Sequence, residues 1–85
     1  MPSKTVVVGS SIGLHARPAA IIAEAVVASG AEVTLATAGE EPVDAGSALM
    51  IMTLGAGNGD QVTVESDDEA ALSTVADLVA KDLDA

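Results

Sequence analysis

The sequence predicts an α+β fold in the order β-α-β-β-α-β-α, with helices packed on one face of a small sheet. Three observations carry this. Short β-branched or alternating stretches recur at residues 4–8, 32–37 and 61–65. Between them run segments whose apolar residues fall at helical spacing and whose ends carry capping residues. The chain has 85 residues, which suits one domain, 1–85, with a single modest core that removes roughly 60 to 65% of the unfolded chain's surface from water.

Each element has a local reason. Lys4-Thr5-Val6-Val7-Val8 is β-branched and ends at Gly9-Ser10-Ser11, so it reads as a strand. Residues 18–29 set Ile21, Ile22, Ala25 and Val26 on one helical face and stop at Ser29-Gly30, with glycine at the C′ position. In 32–37 alternation turns Val33 and Leu35 to one side, Glu32 and Thr34 to the other. Pro42-Val43-Asp44 is a short segment whose proline suits an edge strand. Residues 47–54 are nearly all apolar; we read them as a helix because Ser47 is a good N-cap, Leu, Met and Ala propagate helices, and Gly55 stops one. Gly55-Ala56-Gly57-Asn58-Gly59-Asp60 is a flexible turn into the strand 61–65. Ser66 and Glu69 form a capping box for the last helix, whose stripe is Leu72, Val75, Ala76, Val79 and Leu83. Asp82 and Asp84 oppose the dipole at its end.

Composition removes several functions. Thirteen acidic residues stand against three basic ones, a formal net charge of −10, so nucleic acid and anionic membranes are repelled. With no Phe, Tyr or Trp the chain has no platform for stacking bases. It has no cysteine and one histidine, so disulfides are excluded and neither a metal site nor a metal cofactor is expected. The first apolar run is too short for a signal peptide, and no stretch approaches the ~18 apolar residues of a membrane span. The expected setting is the cytoplasm.

The only histidine and the only arginine sit in Gly13-Leu14-His15-Ala16-Arg17-Pro18. Pro18 marks a first helical turn, where its missing N–H is not needed. Free N–H groups at that helix mouth, including those of Ala16 and Arg17, then face His15, and the positive end of the helix dipole favours an anion there. Imidazole is a nucleophile near neutral pH, and a guanidinium grips phosphate oxygens. Taken singly, a histidine, an arginine or a proline is an ordinary surface or punctuation residue. Their conjunction in a chain with only Lys4, Arg17 and Lys81 as basic residues points to a place for phosphate.

On Gly13-Leu14-His15-Ala16-Arg17-Pro18-Ala19, on the segment Gly46-Ser47-Ala48-Leu49-Met50-Ile51-Met52-Thr53-Leu54-Gly55, and on length and element order, the chain resembles the HPr family. These are the phosphocarriers of the bacterial phosphoenolpyruvate-dependent sugar phosphotransferase system (PTS). The resemblance implies an open-faced β-sandwich, a four-stranded antiparallel sheet with three helices on one face. It also implies that His15 accepts a phosphoryl group on Nδ1 from phosphorylated enzyme I and passes it to the IIA domain of a sugar permease. Such a protein is a carrier and a substrate of enzyme I, not an enzyme, and is expected to be monomeric.

Both partners must bring a reactive group to His15, so an apolar landing surface is needed nearby. Ala16, Ala20, Ala48, Leu49 and Met52 are the candidates, also implicated by the resemblance. Burial in the core is the competing reading for this apolar segment, above all for Ile51 and Met50. Ser47 matches the serine that a regulatory kinase modifies in some members, although Gly46 precedes it where many have a basic residue; the simpler reading is an N-cap. A transcriptional regulator is a further partner for this class. Three other functions suit parts of the sequence: a paralogous carrier in nitrogen or carbon regulation, an acyl carrier with a site around Ser47, and a binding module that is never phosphorylated. The β-branched stretches oppose the second, and the retained histidine opposes the third.

Overall fold

The structure is a computed structural model that describes residues 2–82. Its elements are β1 (Ser3–Val7), α1 (Ala16–Ser29), β2 (Thr34–Thr37), β3 (Val43–Asp44), α2 (Ala48–Thr53), β4 (Gln61–Glu65) and α3 (Glu69–Ala80). The strands form one sheet in the order β1-β4-β2-β3, with every neighbouring pair antiparallel. The predicted fold class is therefore observed: an α+β open-faced sandwich of four strands and three helices.

Register explains which face is covered. Val6 pairs with Val62, and Leu35 pairs with both Val64 and Val43, so one face carries the apolar row. On the other face Thr5 lies opposite Thr63, their hydroxyls 3.1 Å apart, and that side stays open to solvent. α3 packs on β1 and β4, α2 on β3, and α1 rests against both helices. Ile22, Leu35, Ile51, Val62, Val64 and Val79 are fully buried between the layers. Each such side chain contributes roughly 1.5 to 3 kcal/mol by leaving water. Without aromatic rings, the core fills its space with branched aliphatics and alanines.

The α1 stripe differs from the predicted one. Pro18, Ala19, Ile22, Ala23 and Val26 are buried, while Ile21 and Ala25 are only half-buried. Ala19 and Ala23 are buried in place of Ile21 and Ala25, so the face α1 turns to the core is centred on small side chains. The C-terminal cap is as expected: Gly30 has φ +70° and its N–H donates to the Val27 carbonyl at 3.2 Å.

The capping box of Ser66 with Glu69 does not form. Ser66 is buried and donates its hydroxyl to the Glu32 carbonyl at 2.7 Å while accepting from the Asp68 N–H at 3.2 Å. The cap is Asp68, whose Oδ1 accepts from the Ala71 N–H at 3.1 Å, and Glu69 falls in the first turn. The predicted stripe of α3 is buried at Leu72, Val75, Ala76 and Val79; Leu83 and Asp84 lie outside the described residues.

Candidate functional site

His15 is delivered by a loop clamped from two sides. On one side the Gly9 N–H donates to the Val79 carbonyl of α3 at 3.0 Å. On the other the Leu14 N–H donates to the Ala56 carbonyl at 2.9 Å. A turn closed by the Gly13 N–H on the Ser10 carbonyl, 2.9 Å, brings the chain round. Gly13 has φ +87°, and a Cβ there would run into the Ala56 carbonyl oxygen, so backbone conformation and space both require glycine. Leu14 is buried, which pins the residue before the histidine.

His15 is the N-cap of α1, extended at φ −83° and ψ −166°, and its carbonyl accepts the Ala19 N–H at 2.9 Å. Ala16 and Arg17 occupy the first helical positions, where N–H groups have no intrahelical acceptor, and Pro18 follows with no N–H to satisfy. Arg17 is exposed and its guanidinium is accessible to an anion, while Pro18 is buried and anchors the helix mouth to the core. The motif read from sequence thus becomes a half-buried imidazole, a cation within two residues and a dipole end in one place.

Beside it lies a shallow depression of about 360 Å³ lined by Ile12, Leu14, His15, Met52, Gly55, Ala56 and Gly57. Met52 is therefore brought beside the histidine. Ile12 was not singled out from sequence, yet at 72% exposure it is a large apolar side chain left in water next to His15. The available signal was an isoleucine in an otherwise Ser- and Gly-rich turn three residues before the histidine. The glycines of 55–59 do not form a phosphate cradle, because the Gly57 N–H donates to Asp60 Oδ2 at 2.8 Å and the Gly59 N–H to the Val8 carbonyl at 3.1 Å.

The other apolar candidates divide. Leu49 is 68% exposed, Met50 and Met52 are exposed, and Ile51 is fully buried. Ile51 therefore belongs to the core and Met50 does not. Ala16 is exposed, while Ala20 and Ala48 are half-buried. Since α1 packs against α2, these residues belong to neighbouring helices, although only Met52 of α2 lines the histidine's depression. Ser47 caps α2, its Oγ accepting from the Met50 N–H at 3.3 Å, and the Asp44 carboxylate accepts the Gly46 N–H at 2.8 Å just before it.

A larger groove of about 730 Å³ lies where the β2–β3 turn meets the end of α2. Glu40, Glu41 and Asp60 line it, so it repels phosphate. Among the described residues no group of three or more His, Cys, Asp or Glu is arranged to hold a metal ion, and no helix is long and apolar enough to cross a membrane.

Comparison with known proteins agrees with this geometry. The family model described as PTS-HPr, the PTS HPr component phosphorylation site, matches residues 2–81. The chain is 45% identical over 87 aligned positions to the phosphocarrier protein HPr of Streptomyces coelicolor, covering 99% of this chain and 94% of that one. Among solved structures, the phosphocarrier HPr of Bacillus anthracis superposes with a TM-score of 0.82 at 34% identity, covering 92% of this chain and 95% of that one. The HPr-C-His structure from Thermoanaerobacter tengcongensis gives 0.83 at 29% identity, covering 93% and 91%. A histidine at a helix mouth, the fold that holds it there, and a family match over nearly the whole chain lead to one conclusion: this chain belongs to the HPr family of PTS phosphocarriers.

Proposed function

We propose that His15 is the phosphoryl acceptor of this carrier, taking the group on Nδ1 from phosphorylated enzyme I and passing it to the IIA domain of a sugar permease. The single observation that carries the reading is His15 as N-cap of α1 with Arg17 two residues on. In the forward step the neutral imidazole nitrogen attacks phosphorus; a P–N bond forms at His15 as the donor's bond to phosphorus breaks. The phosphoryl oxygens then meet the Ala16 and Arg17 N–H groups and the guanidinium, which give charge-assisted hydrogen bonds. A carrier must also release its cargo. A helix terminus at an exposed site contributes only about 0.3 to 1 kcal/mol, less than the ~1.4 kcal/mol of a tenfold change in equilibrium, so onward transfer stays accessible.

Ala16, Ala20, Ala48, Leu49 and Met52 form the landing surface, and Ile12 extends it. The protein works as a cytoplasmic monomer, forming a transient phosphohistidine without itself catalysing a net reaction. Ser47 acts as the cap of α2; a phosphate there would set negative charge beside Leu49. The test mixes the chain with enzyme I, magnesium and phosphoenolpyruvate, then weighs it by mass spectrometry at neutral pH. One added phosphate on the wild type and none on His15→Ala is the expected result. Full phosphorylation of His15→Ala would refute the assignment.

A further inference from the structure

Residues 9–14 belong to no helix or strand, so the carbonyls that shape this loop must find donors elsewhere. One side chain serves two of them and the Val8 carbonyl just before, its two N–H bonds shared among the three. The Asn58 Nδ2 group lies 3.4 Å from the Val8 carbonyl, 3.4 Å from the Gly9 carbonyl and 3.2 Å from the Ser10 carbonyl. The Ser10 carbonyl is also the acceptor that closes the turn on Gly13, immediately before Leu14 and His15. Asn58 is exposed, and it lines neither the core nor the histidine's depression. Packing therefore does not account for an amide spread over three consecutive carbonyls.

We infer that Asn58 is a positioning residue for phosphoryl transfer: through the Val8, Gly9 and Ser10 carbonyls it sets the approach of the loop that presents His15. The inference rests on the carrier reading. The turn that carries Asn58 also supplies the Ala56 carbonyl to Leu14, so the histidine segment is gripped at its start by Asn58 and at its end by Ala56. In-line attack demands reacting atoms within a narrow geometry, and a misplacement of about 1 Å costs on the order of a hundredfold in rate. Partial loosening of a loop still held at Ala56 should cost less.

The decisive variant is Asn58→Asp, which keeps the side chain's size but exchanges a donor for a group that only accepts. Asn58→Ala is the second variant. Transfer from phosphorylated enzyme I should show kcat lowered about tenfold with KM held within about twofold, because the landing surface is untouched. The His15 imidazole signals in ¹H–¹⁵N spectra should move in both variants, with melting temperature within a few degrees of wild type. A purely structural role would lower the melting temperature and leave kcat unchanged at temperatures well below it. Wild-type kcat together with unmoved imidazole signals in Asn58→Asp would overturn the inference. If the wild-type chain takes no phosphoryl group, the carrier reading fails separately, and the imidazole signals, which need no partner, still decide whether Asn58 sets the ring's position.

Discussion

The Leu14 N–H donates to the Ala56 carbonyl at 2.9 Å, tying the residue before His15 to a loop from the other half of the chain. His15 is thus held by two turns pressed together, and Gly13 sits where they touch. Gly13→Ala should destabilise the protein by about 2 kcal/mol or more, from left-handed backbone strain together with the collision at Ala56. Urea unfolding checks this. A loss within 0.5 kcal/mol would mean that the two turns separate without cost.

Arg17 is exposed and lies at the helix mouth, so its removal should change chemistry and not folding. Arg17→Ala should slow phosphoryl transfer by about tenfold while unfolding free energy stays within about 0.5 kcal/mol. Arg17→Lys should recover part of the rate, since charge returns without the planar fork. Stopped-flow transfer measurements alongside denaturant titrations separate the two effects.

Leu49 and Ile51, two residues apart in α2, differ in burial, one 68% exposed and the other fully buried. Leu49→Glu, and likewise Met52→Glu, should raise KM for the phosphorylated donor about tenfold with little change in stability. Ile51→Ala should instead cost about 2 to 5 kcal/mol of stability. Because the chain carries a net charge of −10, partner surfaces should be basic around an apolar centre, and transfer should slow as salt is added. Transfer rates that hold steady from low to high salt would exclude this steering.

Ser66 and Asp68 offer a test of which residue caps α3. Ser66→Ala should cost about 0.5 to 1.5 kcal/mol, because it removes the hydroxyl that the buried Ser66 donates to the Glu32 carbonyl. Asp68→Ala should cost about 0.5 to 2 kcal/mol as a lost N-cap. Glu69→Ala should be nearly neutral, whereas a capping box would have made it costly. Thermal unfolding of the three variants ranks them.

Much of this was legible locally. The alternation of Val33 with Leu35, the Ser47 cap and the Gly30 stop depend on neighbours within one turn or strand, and all three are observed. The choice between Ser66 and Asp68 was not legible, because Ser66 is diverted to the carbonyl of Glu32, far away in sequence. The same holds for the α1 face: periodicity gives a stripe but not its rotation, which is settled by packing that buries Ala19 and Ala23. At the site, His15 and Arg17 announced themselves as the only residues of their kinds, two positions apart. Ile12 and Asn58 did not, since an isoleucine and an asparagine in turns have no meaning until the two turns are brought together.

By itself the sequence determined the order of elements, the helix mouth at Pro18 and the phosphate-suited pair His15 and Arg17, because each depends on side-chain chemistry and short-range backbone rules. Only the tertiary structure decided which apolar residues of 48–53 face solvent, which residue caps α3, and how the loop 9–14 is held. Those outcomes follow from the packing of α1 and α2 over the sheet and from hydrogen bonds between residues remote in the chain.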